Sequence, residues 1–246
     1  MTKFLIQATN DVLPTPTNLA MLEKTEDPNC YQCGARGTLR HILSGCNTSL
    51  AEGRYRWRHD SVLREIAAGL EEERKKIKQQ EKLSFINFVR PGQVGQGEAK
   101  KSTGLLSSGK KCDMKVDLDK KLVFSPEIVV TRLRPDIVLW SRESKKVVMI
   151  ELTVPWEERM EEAHELKRSK YAELQAQCIE KGWQTWVLPV EVGCRGFPGK
   201  SVWNMFRVLG IGGSQRKKTI KKIGEAAEKA SCWLWYKRSD INWGIS

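Results

Sequence analysis

At 246 residues, 40% of them apolar and with a mean hydropathy of −0.48, the chain can fill one substantial core or two modest ones and is too polar to be built around membrane spans. No run approaches the roughly 18 apolar residues that a spanning helix needs. The opening MTKFLIQATN also lacks the apolar stretch of a secretion signal, so the seven cysteines are expected as reduced thiols or metal ligands. A net charge of +12 makes a polyanion the leading expected partner.

Residues 1–29 contain prolines and no sustained periodicity, which predicts a short helix, a turn and a second helix with no chemistry of their own. The segment CYQCGARGTLRHILSGC follows, with the spacing Cys30-x2-Cys33-x7-His41-x4-Cys46. Two thiolates from a CxxC turn, and an imidazole and a thiolate from a short helical turn ending at Gly45, suit tetrahedral Zn2+. The bland alternative is scattered thiols beside a stray histidine. A unit this small would depend on its metal to fold.

From about Tyr55 a helix is expected, because Val62, Leu63, Ile66 and Leu70 recur at helical spacing. Arg54, Arg56 and Arg58 alternate with Tyr55 and Trp57, and with His59 they read as a cluster for a nucleic-acid backbone or, equally, as a solvated basic helix start. Residues 91–111 hold five glycines, four serines or threonines and four lysines, which predicts a flexible loop. After Ser125-Pro126, the stretch IVVTRLRPDIVLW reads as the beginning of the sheet.

The centre of the chain is RPDIVLWSRESKKVVMIELTV, residues 134–154. Two apolar runs, Ile137–Trp140 and Val147–Leu152, flank a charged turn and predict a hairpin. A symmetric turn sets Trp140 against Val147 and Asp136 against Glu151, about 4.5–5.5 Å apart at Cβ on one face. Two acids there are costly without a cation between them. A hard divalent metal, Mg2+ or Mn2+, is the natural occupant and serves phosphate chemistry. Pairing of the acids with Arg132 or Arg134 is the structural alternative.

Pro155 and the acidic turn after it predict a helix to about Lys181, stopped by Gly182. Its inward stripe reads Met160, Ala163, His164, Lys167, Tyr171, Leu174 and Cys178, with Lys170 beside it. An inward lysine following an acidic hairpin can stabilise charge developing on a phosphate. WQTWVLPVEV then predicts a strand parallel to the hairpin's second strand. Residues 201–209 predict a short helix. Between 207 and 238, nine Lys/Arg stand against two acids, a surplus of seven. Arg216, Lys217, Lys218, Lys221 and Lys222 make this basic helix a candidate backbone-contacting element, with Trp233 and Trp235 for packing or stacking.

The order of knuckle, Arg58-His59 helix, linker, Pro135-Asp136, Glu151 and Lys167-Arg168-Ser169-Lys170-Tyr171 resembles the C-terminal region of non-LTR retrotransposon polyproteins that carry a restriction-like endonuclease. It is similar through them to the PD-(D/E)xK nucleases, over roughly residues 30–190. The resemblance implies an α/β fold with a restriction-endonuclease-like core of mixed sheet flanked by helices, a small N-terminal zinc knuckle and a helical basic C-terminus. It divides the chain into a connector at 1–29 following a reverse-transcriptase region, a knuckle at 30–53, a nuclease core at 54–195 and an extension at 196–246. It implies Asp136 and Glu151 as Mg2+ ligands, Lys167 or Lys170 as the catalytic lysine and Tyr171 as a residue positioning water or phosphate. Glu65, or Asp60, stands for the extra acid that some members use. The commoner nuclease pattern has a lysine two residues after the second acid, where this chain has Thr153. The implied activity nicks target DNA in the nucleus, with element RNA, a second copy or an upstream reverse transcriptase as further partners. The alternative is a nucleic-acid-binding fragment without catalysis.

Overall fold

The computed structural model describes residues 2–83, 112–240 and 243; the expected flexible loop at 91–111 lies outside them. Strands form where β-branched and aromatic residues cluster. These are β1 (Asp113–Val116), β2 (Ile137–Ser141), β3 (Lys146–Thr153) and β4 (Gln184–Glu191). They build a mixed sheet in the order β1-β2-β3-β4, antiparallel except for the parallel β3–β4 pair. Trp140 pairs with Val147 and Ile137 with Ile150, the register of a symmetric turn. The sheet begins earlier than IVVTRLRP, with a strand, β1, that sequence periodicity does not mark, and IVVTRLRP itself forms no strand. Ile128 and Val129 instead pack as a loop into the core, and Val130 is exposed.

Helices cover both faces, which is why β2 and β3 are apolar on both sides. On one side, Ile137, Leu139, Val148, Ile150 and Leu152 share a core with Val62, Leu63, Ile66 and Leu70 of α4 (Arg54–Leu83). That core also takes in Val202, Met205 and Phe206 of α6 (Lys200–Val208) and Ile220, Ile223 and Ala227 of α7 (Gly213–Tyr236). On the other side, Val138, Trp140, Val147 and Met149 meet Tyr171, Leu174 and Cys178 of α5 (Met160–Glu180). Each fully buried side chain of this size contributes roughly 1.5–3 kcal/mol. A short 3-10 turn, Glu157–Arg159, precedes α5, and Gly182 follows it at φ +78°, where any Cβ is strained.

The N-terminal helices α1 (Lys3–Thr9) and α2 (Pro16–Met21) lead to the cysteine segment, whose π-type turn spans His41–Gly45 before the short α3 (Asn47–Ala51). Phe4, Ala8, Leu13, Leu39, Ile42 and Leu43 pack with Cys194, Leu234 and Trp235 in a third core. The N-terminal helices, the cysteine segment and the C-terminal helix therefore share one apolar cluster.

Candidate functional site

Asp136 immediately precedes β2, and Glu151 lies on the α5 side of β3. Extending the observed register by one residue sets the two across from each other. Both are buried, at 5% and 3% exposure. They are locked together through the backbone: Asp136 N donates to Glu151 Oε2 at 3.2 Å, and Leu152 N donates to Asp136 Oδ2 at 2.8 Å. Such bonds let a carboxylate remain in a largely apolar setting.

Two helices converge on this pair. Helix α5 brings Lys167 Nζ to 2.6 Å and Lys170 Nζ to 3.3 Å from Glu151 Oε1. Helix α4 brings His59 Nε2 to 3.2 Å from Asp136 Oδ2, while His59 Nδ1 lies 2.9 Å from Asp60 Oδ1. Arg56 Nε ion-pairs with Asp60 at 2.8 Å, and its Nη2 donates to the Asp117 carbonyl at 2.9 Å. Burial disfavours the His59 imidazolium, yet the hydrogen bonds to Asp136 and Asp60 and the Asp136 charge outweigh it, and the ring is pushed up to about 9. A charged ring donates from both nitrogens, which satisfies both carboxylates.

The acids, the two lysines and His59 line one open cleft of about 860 Å³, together with Thr153 and the basic Arg56, Lys120, Arg132, Arg134 and Arg159. No ion pair links Arg132 or Arg134 to either acid among the described residues. The lysines of α5 are the cations that meet Glu151. Thr153 Oγ1 is buried with no hydrogen-bond partner among the described residues. Carboxylate oxygens are the donors that a hard divalent cation takes. No hydrogen bond among the described residues engages Asp136 Oδ1, and Glu151 Oε1 is held only by two ammonium groups that a metal can displace.

Several residues stand elsewhere than the sequence suggested. Tyr171 is fully buried, donates its hydroxyl to the Arg134 carbonyl at 3.0 Å, and is held strongly protonated by burial and the nearby Glu151 charge. It braces the chain entering β2 from beneath the acids and is not among the residues that line the cleft. Arg54 and Arg58 are 1% and 2% exposed and so cannot reach a nucleic-acid backbone. Arg54 donates to the carbonyls of Lys237 and Asp240, and Arg58 to those of Leu43 and Val154, because the third core closes over them. His59 is spent on the two carboxylates. Glu65 lines a different groove, with Lys222 and Trp233, between α4 and α7. Lys217, Lys218, Lys221 and Lys222 are exposed on α7, while Arg216 lies over Trp203 at 5.6 Å. Trp235 is buried and Trp233 half-exposed.

Two contacts carry no clear sequence signal. His164 Nδ1 sits 3.1 Å from a carboxylate oxygen of the buried Glu191, at the end of β4; the inward stripe marks His164 but not its partner. The reach of His59 to Asp136 crosses 77 positions.

Cys30, Cys33, His41 and Cys46 bring their ligand atoms within 4.8 Å of one another, close enough to share one metal ion. Cys33 Sγ lies 3.1 Å from His41 Nε2. Burial lowers His41, favouring the neutral ring that ligates metals. Burial pushes Cys30 up to about 11. It opposes ionisation of Cys46 as well, but hydrogen bonds led by those from Ser49 together outweigh it and lower that thiol. Among the described residues no helix is long and apolar enough to cross a membrane. No family model matches the chain, and no curated protein matches it.

Proposed function

We propose that the chain is a metal-dependent DNA endonuclease of the restriction-like type, of the kind borne by non-LTR retroelements, nicking DNA to prime reverse transcription. One observation carries this reading: two buried acids from opposed strand positions meet two lysines in a cleft rimmed by arginines. Such a cleft attracts a phosphodiester backbone and supplies hard oxygen ligands beside it.

Asp136 Oδ1 and Glu151 Oε1 would hold Mg2+ or Mn2+, which when bound supplies charge neutralisation and an acidified water at the scissile phosphate. Lys167, the closer and less exposed of the pair at 28% against 44%, would move from Glu151 onto the phosphate and neutralise its charge. Lys170 would steady the adjoining backbone. The uncharged Thr153, which lines the cleft where related patterns carry the lysine, supports delivery of that charge from α5. The Cys30–Cys46 set would hold structural Zn2+, since three sulfurs and one nitrogen suit that ion. The exposed lysines of α7 would add backbone contacts, with target DNA in the nucleus as substrate, element RNA as a second ligand, and an upstream reverse transcriptase or a second copy as a partner.

The test is a nicking assay on supercoiled DNA. Cleavage should require Mg2+ or Mn2+ and fall by at least about 10²-fold in Asp136→Ala and in Glu151→Ala, the scale of losing a group that stabilises the transition state. Activity surviving both changes would sink the reading. One observation favours a second one: Lys167 and Lys170 already neutralise Glu151, as in a purely structural ion pair. A nucleic-acid-binding module without catalysis would bind DNA indifferently to Mg2+ and lose binding to a zinc chelator.

A further inference from the structure

We propose that His59 is a positioning residue for Asp136, so that the helix leaving the cysteine segment completes the metal-binding centre; this rests on the metal-dependent reading of Asp136 and Glu151. An aspartate carboxylate turns broadly about its last torsion unless something holds it. Here Oδ2 is held twice, by Leu152 N at 2.8 Å and by His59 Nε2 at 3.2 Å, while Oδ1 takes no hydrogen bond among the described residues. With Oδ2 committed, Oδ1 remains for a cation, which makes Asp136 a monodentate ligand of set orientation. His59 is fixed from behind by Asp60 at 2.9 Å, and Asp60 by Arg56 at 2.8 Å, whose guanidinium is anchored on the Asp117 carbonyl. The ring and Asp60 are only 15% and 11% exposed, so water competes little for these bonds. The neighbouring Arg58 ties the same turn of helix to Leu43 of the cysteine segment and to Val154 just past β3. One turn of α4 thus joins the cysteine segment to the acid pair. Outer partners that orient a ligating side chain typically set metal affinity by 10–100-fold.

The experiment titrates Mn2+ into the full chain, its cysteine site preloaded with zinc, by calorimetry, with a thermal melt of each variant as a control. Asp136→Ala should abolish the Mn2+ site. His59→Phe, which keeps ring volume but has no donor, should weaken Mn2+ binding about 10–100-fold. His59→Gln, whose amide nitrogen can reach Oδ2, should stay within a few-fold of the unmodified chain. The nicking deficit of His59→Phe should shrink as Mn2+ is raised. Equal Mn2+ affinities for the Phe and Gln variants overturn the proposal, because only one retains a donor. If His59→Phe does not fold, His59→Ala takes its place in the same comparison. Mn2+ binding that is lost in Asp136→Ala but unchanged in His59→Phe removes His59 alone. Binding that is unaffected by Asp136→Ala removes the metal-centre reading and this proposal with it.

Discussion

Arg58 carries a full guanidinium where almost no solvent reaches, and no carboxylate pairs with it among the described residues. Burial lowers its proton affinity, but the group keeps its charge by donating to the Leu43 and Val154 carbonyls and to Ser231 Oγ, at 2.8–3.1 Å. Bonds from a charged donor are worth more than neutral ones, and removing the donor leaves buried carbonyls unpaired. Arg58→Ala should therefore cost about 3 kcal/mol or more in urea denaturation, seen as a lower midpoint with an unchanged slope. A loss under about 1 kcal/mol would contradict the structural role. In the sequence, Arg54, Arg56 and Arg58 look alike. Arg56 and Arg58 both border the cleft, but only Arg56 has a part-exposed side chain. Alternation with Tyr55 and Trp57 identifies a basic aromatic stretch, and it says nothing about which guanidinium another part of the chain will cover.

At the scale of elements, α4 and α7 cross antiparallel and close. Arg58 meets Ser231 near one end, Gly69 meets Thr219, and Gln215 donates to Glu72 near the other. Glycine within a helix costs about 1 kcal/mol relative to alanine. It is required here because a Cβ on Gly69 would stand 2.4 Å from Thr219 Cγ2. Gly69→Ala should accordingly destabilise the chain by about 1–3 kcal/mol despite the gain in helix propensity. Adding Thr219→Ala should recover part of that loss, a coupling of about 1 kcal/mol or more in a double-mutant cycle. Additive effects in thermal melts would show that the helices part without cost. The hairpin is the element most legible from sequence, since two apolar β-branched runs about a polar turn set both its strands and its register. Strand β1 is the least legible. It is four residues long, carries the exposed Lys115, and becomes a strand only by pairing with β2.

Among the described residues, positive charge is concentrated at the cleft and on the exposed face of α7. Binding to DNA through phosphates releases counterions, so affinity should fall steeply with salt. Changing Lys217, Lys218, Lys221 and Lys222 together to glutamine should flatten the slope of log affinity against log salt by up to about 3–4, at roughly 0.9 for each phosphate no longer neutralised. Nicking at low salt should persist, because none of the four lines the cleft. An unchanged salt slope would remove α7 from the DNA-binding surface.

What the amino-acid sequence determines alone is local: the Cys30–Cys46 ligand spacing, the hairpin about Ser141–Lys146, the inward stripe of α5 with Lys167 on it, and the parallel return of β4. Each follows from a period, a turn or a spacing over a short stretch of chain, where connectivity restricts the geometry. Only the tertiary structure decided that His59 holds Asp136, that Arg54 and Arg58 are internal, that Tyr171 is buried with its hydroxyl on the Arg134 carbonyl, and that the N-terminal segment packs on Leu234 and Trp235. Those outcomes depend on which distant surface covers a given side chain, and the chemistry of a residue constrains what such a neighbour must satisfy without specifying where in the chain it comes from.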